Sequence, residues 1–174
     1  MIVGLSGKAG AGKDTIADYL VKLHGFEKLS FAQPLKDMLA VLGVDVTNRE
    51  HKEDPDFGLC GRSPRFLMQT LGTEWGRDIV HKNLWIHLLE NNIRPGRRYV
   101  VSDVRFEDEA AWLRRVGRLW HVRRELISPP LGASAQHVSE NGIIPITGEP
   151  IINNNASFDA LFEVVRHYVQ KAGE

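Results

Sequence analysis

The chain has 174 residues, 43% of them apolar and 25% charged, which is enough for one domain with a real core. Its formal net charge is zero, 22 basic residues against 22 acidic, which argues against broad binding to nucleic acid or to anionic membranes and leaves room only for a local basic site. A single cysteine, Cys60, excludes an internal disulfide and a cysteine-based zinc cluster, so a reducing, cytoplasmic setting is expected. No apolar run approaches membrane-spanning length, and the N-terminus reads as a core strand, so no signal peptide is expected.

In chain order, Ile2 to Leu5 is a short apolar run that predicts a buried strand. Gly7-Lys8-Ala9-Gly10-Ala11-Gly12-Lys13 follows it and fits the G-x-x-x-x-G-K frame of a phosphate-binding loop. From Asp14 a helix is expected, with Ile16, Ala17, Leu20, Val21 and Leu23 as its apolar stripe. Strand, glycine-rich loop and helix are the context that this motif needs. The glycines let the backbone curl so that several N–H groups converge on one anion, and the helix N-terminus adds partial positive charge.

Phe26 to Phe31 predicts a second strand, and Gln33 opens a helix with Leu35, Met38, Leu39 and Leu42 on one side, closed by Gly43. Asn48 to Gly61 is polar and reads as a loop or insertion. Ser63-Pro64 is a helix start, a capping hydroxyl followed by proline at the first helical position, and the helix is expected to run to about Gly72. Trp75 to Ile79 could begin a further turn, and Asn83 could cap a helix through Trp85, Leu88 and Leu89. Arg98 to Asp103 and Arg118 to Arg123 predict strands, with a helix from Glu107 to Val116 between them. Arg124 to Gly142 reads as an exposed loop, Pro150 to Asn153 as a last short strand, and Phe158 to Ala172 as an amphipathic terminal helix. Strands alternating with helices predict an α/β fold, a parallel sheet with helices on both faces.

Several residues carry candidate chemistry. Lys13 can reach the outer phosphates of a bound triphosphate, and Thr15 either supports the helix start or touches phosphate. Asp14 stands where the motif usually has serine or threonine. A bare carboxylate beside phosphates is repelled unless a cation intervenes, so Asp14 reads either as a magnesium-linked ligand or as a first-turn helix acid. Asp103 ends an apolar strand, the position of a magnesium-linked carboxylate, and Arg105 follows; a strand-end salt bridge is the plainer alternative. Lys36, Arg65 and Arg77 are candidate cations for a second anionic ligand. Gln69 shares a helix face with Arg65, and an amide can pair with a base edge through both donor and acceptor. Trp75 either stacks on a base or packs in the core. Arg123 and Arg124 could close over a transferred phosphoryl group or simply edge a charged loop.

The phosphate loop with Gly-Lys-Asp-Thr, the segment Arg65 to Arg77, the segment Ser102 to Glu109 and His137-Val-Ser-Glu140 together resemble the bacteriophage-type deoxynucleoside monophosphate kinases, within the adenylate-kinase-like P-loop kinases. The resemblance covers most of the chain. It implies the P-loop NTPase fold with a five-stranded parallel core, in a single domain of residues 1–174. It also implies an acceptor-binding helical region at about 32–95 and an arginine-bearing lid at about 124–142. It further implies ATP and Mg2+ as cofactors, a loop around Asn155 that passes the donor adenine, and a role without clear chemistry for His137 and Glu140.

The expected reaction is ATP-dependent phosphorylation of a deoxynucleoside 5′-monophosphate in the cytoplasm, the host's if the gene is viral. The rival readings are a kinase for another small acceptor such as dephospho-coenzyme A and a non-catalytic nucleotide switch. The sequence excludes neither a monomer nor a homodimer.

Overall fold

A computed structural model describes residues 1–46, 54, 60–125 and 142–173. The chain contacts divide it into two units, one of Met1–Ser30 with Asn92–Glu174 and one of Phe31–Asn91.

The first unit is built on a five-stranded, all-parallel sheet in the order β2-β3-β1-β4-β5. Its strands are β1 (Ile2–Ser6), β2 (Phe26–Leu29), β3 (Arg98–Val104), β4 (Arg118–Arg123) and β5 (Ile151–Asn153). β1 is buried along its whole length because it lies at the centre, with β3 on one side and β4 on the other. A parallel sheet needs cover on both faces, and the side-chain alternation of β1 shows how it is met. Val3 and Leu5 join the cluster formed with Ile16, Ala17 and Leu20 of α1 (Lys13–His24) and Leu161, Val165 and Val169 of α6 (Phe158–Gly173). Gly4 faces the other way, directly against Leu113 of α5 (Glu107–Val116), where any side chain on Gly4 would collide with that leucine.

The helix stripes differ from expectation in detail. In α1 the buried set is Ile16, Ala17, Tyr19 and Leu20, whereas Leu23 is 69% exposed. Tyr19 takes the place because its ring stacks on Phe162 of α6, with centroids 4.1 Å apart. A residue's own polarity does not reveal which neighbour covers it.

The second unit carries α2 (Gln33–Val41), α3 (Pro64–Gln69), a π-helix (Thr70–Val80) and α4 (Leu84–Glu90). In α2 only Leu35 and Leu39 are buried, while Met38 and Leu42 face solvent, and Gly43 follows in a left-handed conformation. α3 starts as its sequence predicts: Ser63 accepts a hydrogen bond from the Phe66 N–H at 3.2 Å, and Pro64 holds the first turn.

The expected stop at Gly72 is overturned. The chain continues without a break into the wider π-helix, whose last turn closes with the His81 N–H donating to the Gly76 carbonyl, an i→i+5 bond of 3.0 Å. Gly72 and Gly76 are packing positions. The Trp85 indole donates to the Gly72 carbonyl at 2.8 Å and lies where a Gly76 side chain would be. Of the expected 48–61 loop, only Asp54, Cys60 and Gly61 lie among the described residues.

Candidate active site

The phosphate loop follows β1 at the carboxyl edge of the central strand, where open parallel sheets form their ligand crevice. Gly7, Gly10 and Gly12 all have positive φ, at 151°, 78° and 102°. Gly12 is the helix-entry residue of α1 in a left-handed conformation, which a side chain would strain. Gly7 lies so close to the Val122 carbonyl of β4 that a side chain has no room. The Lys13 ammonium donates to the Gly7 carbonyl at 2.6 Å and to the Lys8 carbonyl at 2.9 Å, and the Ala11 N–H donates to Lys8 at 3.1 Å. The lysine therefore spans the loop that it belongs to. Lys8, Ala9 and Gly10 are exposed, whereas Ala11 is buried. Thr15 is half-buried in the first turn of α1.

A polar corner lies beside the loop, where α1, β2 and β3 meet. Asp14 Oδ1 accepts from the Ser102 hydroxyl at 3.1 Å and from the Lys28 ammonium at 3.1 Å; Lys28 also reaches Asp18 at 3.3 Å. Burial by itself would lower the Lys28 ammonium, but the hydrogen bond and charge of Asp14, with those of Asp18, hold it above its ordinary value. Asp103 Oδ2 accepts from the Ser30 hydroxyl at 2.7 Å. Arg105 follows half-buried, its backbone N–H donating to Glu109 at 2.8 Å; Glu109 also accepts from the Phe106 N–H, so this acid caps the start of α5. Among the described residues no group of three or more His, Cys, Asp or Glu side chains could hold a metal by protein ligands alone.

Arg123 and Arg124 are exposed at the end of β4. Asn155 receives the Glu125 N–H on its side-chain oxygen at 2.9 Å, which joins the segment after β5 to the segment after β4. Residues 126–141, with His137 and Glu140 and most of the expected lid, lie outside the described residues.

In the second unit, Arg65 and Gln69 stand one turn apart on α3, both half-buried, and Lys36 is half-buried on α2. The Gln69 side-chain nitrogen is buried with no hydrogen-bond partner among the described residues. Trp75 is 38% exposed, its ring centroid 6.3 Å from that of Trp85. Arg77 is 8% exposed and donates to the Lys82 carbonyl at 3.3 Å, so it is a buried cation within its unit rather than a solvated one.

Residues 61–165 match the family described as Deoxynucleotide monophosphate kinase. A protein of Acanthamoeba polyphaga mimivirus named "Putative deoxynucleotide monophosphate kinase" is 31% identical over 100% of this chain and 98% of its own length. The chain belongs to the deoxynucleotide monophosphate kinase family. The Deoxynucleoside-5′-monophosphate kinase of Escherichia phage T5 is 25% identical over 68% of this chain and 74% of its own. A crystal structure from Chloroflexus aurantiacus superposes with a TM-score of 0.52 over 98% of this chain and 96% of its own, at 16% identity, and so shares the fold. As a member of this kinase family the chain is a phosphotransferase that uses a nucleotide. No helix among the described residues is long and apolar enough to cross a membrane.

Three groups in this kinase were not apparent from its sequence. Asn154, 8% exposed, donates its side-chain amide to the Ala11 carbonyl at 2.9 Å and so holds the phosphate loop; the sequence drew attention to its neighbour Asn155 instead. Lys28 carried no motif. Glu149 accepts from Arg114 at 2.8 and 3.2 Å and from the Ile146 N–H at 2.9 Å, and sits 2.8 Å from the buried His121 ring. Burial would raise the Glu149 carboxyl, yet the Arg114 fork, the Ile146 N–H and His121 hold it down at about 2. An isolated lysine or glutamate in a sequence looks like solvated surface, and no local signal marks either residue.

Proposed function

We propose that this kinase transfers the terminal phosphoryl group of ATP to a deoxynucleoside 5′-monophosphate, giving ADP and the diphosphate. The observation that carries the reading is the loop itself, closed by Lys13 over the Gly7 and Lys8 carbonyls at the end of a central parallel strand, in a chain of this family. Gly7, Lys8, Ala9, Gly10, Ala11, Gly12, Lys13 and Thr15 hold the donor phosphates through backbone N–H groups, the ammonium and the helix N-terminus. Asn155 takes the adenine side.

Magnesium favours oxygen ligands, keeps several waters and is usually held by one or two carboxylates with substrate phosphates. The Asp14 and Asp103 carboxylates, each tied to a serine hydroxyl, suit that habit and are the residues that would hold it. Bound there, magnesium supplies neutralising charge to the donor phosphates. The acceptor's own phosphate oxygen is the nucleophile and is already ionised, so the chain has to position and stabilise rather than remove a proton. Lys13, Arg123 and Arg124 balance charge on the transferring group.

Residues 32–95 form the acceptor-binding region. Lys36, Arg65 and Arg77 of the second unit meet the monophosphate; in the first unit, Asp103 and Arg105 are the candidate substrate-binding residues. Gln69 and Trp75 take the base. The Gln69 side-chain nitrogen, buried with no partner among the described residues, supports this, because a buried donor left without an acceptor is costly and a base edge supplies one.

The test is ADP release from ATP across the deoxy- and ribonucleoside monophosphates, with dephospho-coenzyme A alongside. Release that requires a deoxynucleoside monophosphate is expected. Arg65→Ala is expected to cut acceptor kcat/KM by roughly tenfold to a hundredfold while the ATP Kd stays within about threefold. Release with dephospho-coenzyme A alone would mean another kinase. Tight ATP binding with no acceptor-dependent release would mean a switch.

A further inference from the structure

We propose that Lys28 is a positioning residue for the donor phosphates, one that balances the charge of Asp14 and, with Ser102, fixes the direction of its carboxylate. The proposal rests on the reading that the loop binds ATP. Three elements converge on one oxygen: Asp14 lies in the first turn of α1, Lys28 comes from β2 and Ser102 from β3, and both donors reach Asp14 Oδ1 at 3.1 Å.

Asp14 directly follows the loop lysine. An anion at that place works against a polyphosphate unless its charge is matched. Lys28, 3.1 Å from its Oδ1, supplies matching positive charge without a metal. Fold stability is a weak reason for this pair. The Lys28 and Asp14 side chains are 37% and 49% exposed, and ion pairs so exposed contribute little to folding. Two donors converging on one carboxylate oxygen also hold the carboxylate in a single orientation.

The experiment measures the ATP Kd by calorimetry in EDTA and again with saturating Mg2+, for the parent chain, Lys28→Ala, Lys28→Arg, Asp14→Asn and the Lys28→Ala/Asp14→Asn double variant. Lys28→Ala is expected to weaken metal-free ATP binding by about fivefold or more, with a smaller deficit in Mg2+, because the metal then supplies the missing charge. Lys28→Arg keeps the charge and is expected to stay within about twofold of the parent. In the Asp14→Asn background, removing Lys28 is expected to change the Kd by less than about twofold, because the carboxylate it balances is gone. Thermal midpoints of all variants are expected to stay close to the parent's, which separates this role from a structural one.

A metal-free Kd for Lys28→Ala within twofold of the parent overturns the proposal. So does a full Lys28→Ala deficit in the Asp14→Asn background, which would make Lys28 a direct phosphate contact. If the parent chain binds no ATP, the donor-site reading itself falls and the proposal with it.

Discussion

Asn154 joins the last strand's loop to the first strand's. Its amide reaches the Ala11 carbonyl across 143 residues of sequence, and its backbone N–H donates to the Arg123 carbonyl at 2.7 Å. A side chain on Gly12 would also run into this amide, so the left-handed turn and the asparagine share one space. The buried Ala11 carbonyl has little access to water, and removing its donor leaves it unsatisfied. Asn154→Ala is therefore expected to cost about 1–3 kcal/mol in urea unfolding and to weaken ATP binding through the loosened loop. Unchanged stability together with an unchanged ATP Kd would show that the loop holds its shape without this bond.

At the scale of elements, the π-helix and α4 act as one piece. Gly76 has no room for a side chain because the Trp85 ring occupies it, and the same indole is tied to Gly72 by its N–H. Two effects oppose each other in Gly76→Ala. Alanine suits a helix better than glycine by about 1 kcal/mol. Against that, a methyl group pressed into a buried, hydrogen-bonded indole costs about 1–3 kcal/mol or more. The collision should win, because an aromatic ring cannot bend aside as a lysine tail can. Chemical denaturation is expected to show net destabilisation, with a change in Trp fluorescence. A stabilised variant would mean that the helix relaxes to the narrower α pitch at no cost. The consequence for function is local: Gln69 lies at the junction of α3 with the π-helix, so the pitch change helps set where its side-chain nitrogen, without a partner among the described residues, stands.

At the scale of the whole molecule, Glu149 joins parts of the first unit that are far apart in sequence. Arg114 of α5 donates to it in a fork, also meets Glu107 at 3.1 Å and donates to the Ile144 carbonyl at 3.1 Å. His121 of β4 contacts it, and that residue stands in register with Ser6, just before the phosphate loop. The Glu149 carboxyl is held at about 2 in the folded chain, below its ordinary 4.5. A depressed carboxyl binds its proton less readily when folded than when unfolded. Its contribution is therefore complete above pH 4.5 and fades as the pH falls toward 2, amounting to about 3 kcal/mol at most. Stability measured from pH 6 down to pH 2 is expected to drop through that window, and Glu149→Gln is expected to be less stable at pH 6 with a flatter acid slope. An identical slope in Glu149→Gln would assign the acid loss to other carboxylates.

The elements that could be read from the sequence are those whose cause is local. The glycine spacing of the phosphate loop demands backbone angles that few other residues adopt, and the structure shows them at Gly7, Gly10 and Gly12. Ser63-Pro64 carries its own helix start, and the buried apolar runs carry their own strands. Alternation of strand and helix was enough to predict a parallel sheet. Tertiary structure decided the rest. Gly72 looks like a helix stop until the Trp85 indole is seen bonded to its carbonyl and packed on Gly76. Asp14 is tied to Ser102, 88 residues away, and to Lys28, while Glu149 is tied to Arg114, 35 residues away. Such partners are matched only by the folded chain: backbone angles and periodicity act within a few residues, whereas charge balance and packing act between whichever groups the sheet brings together.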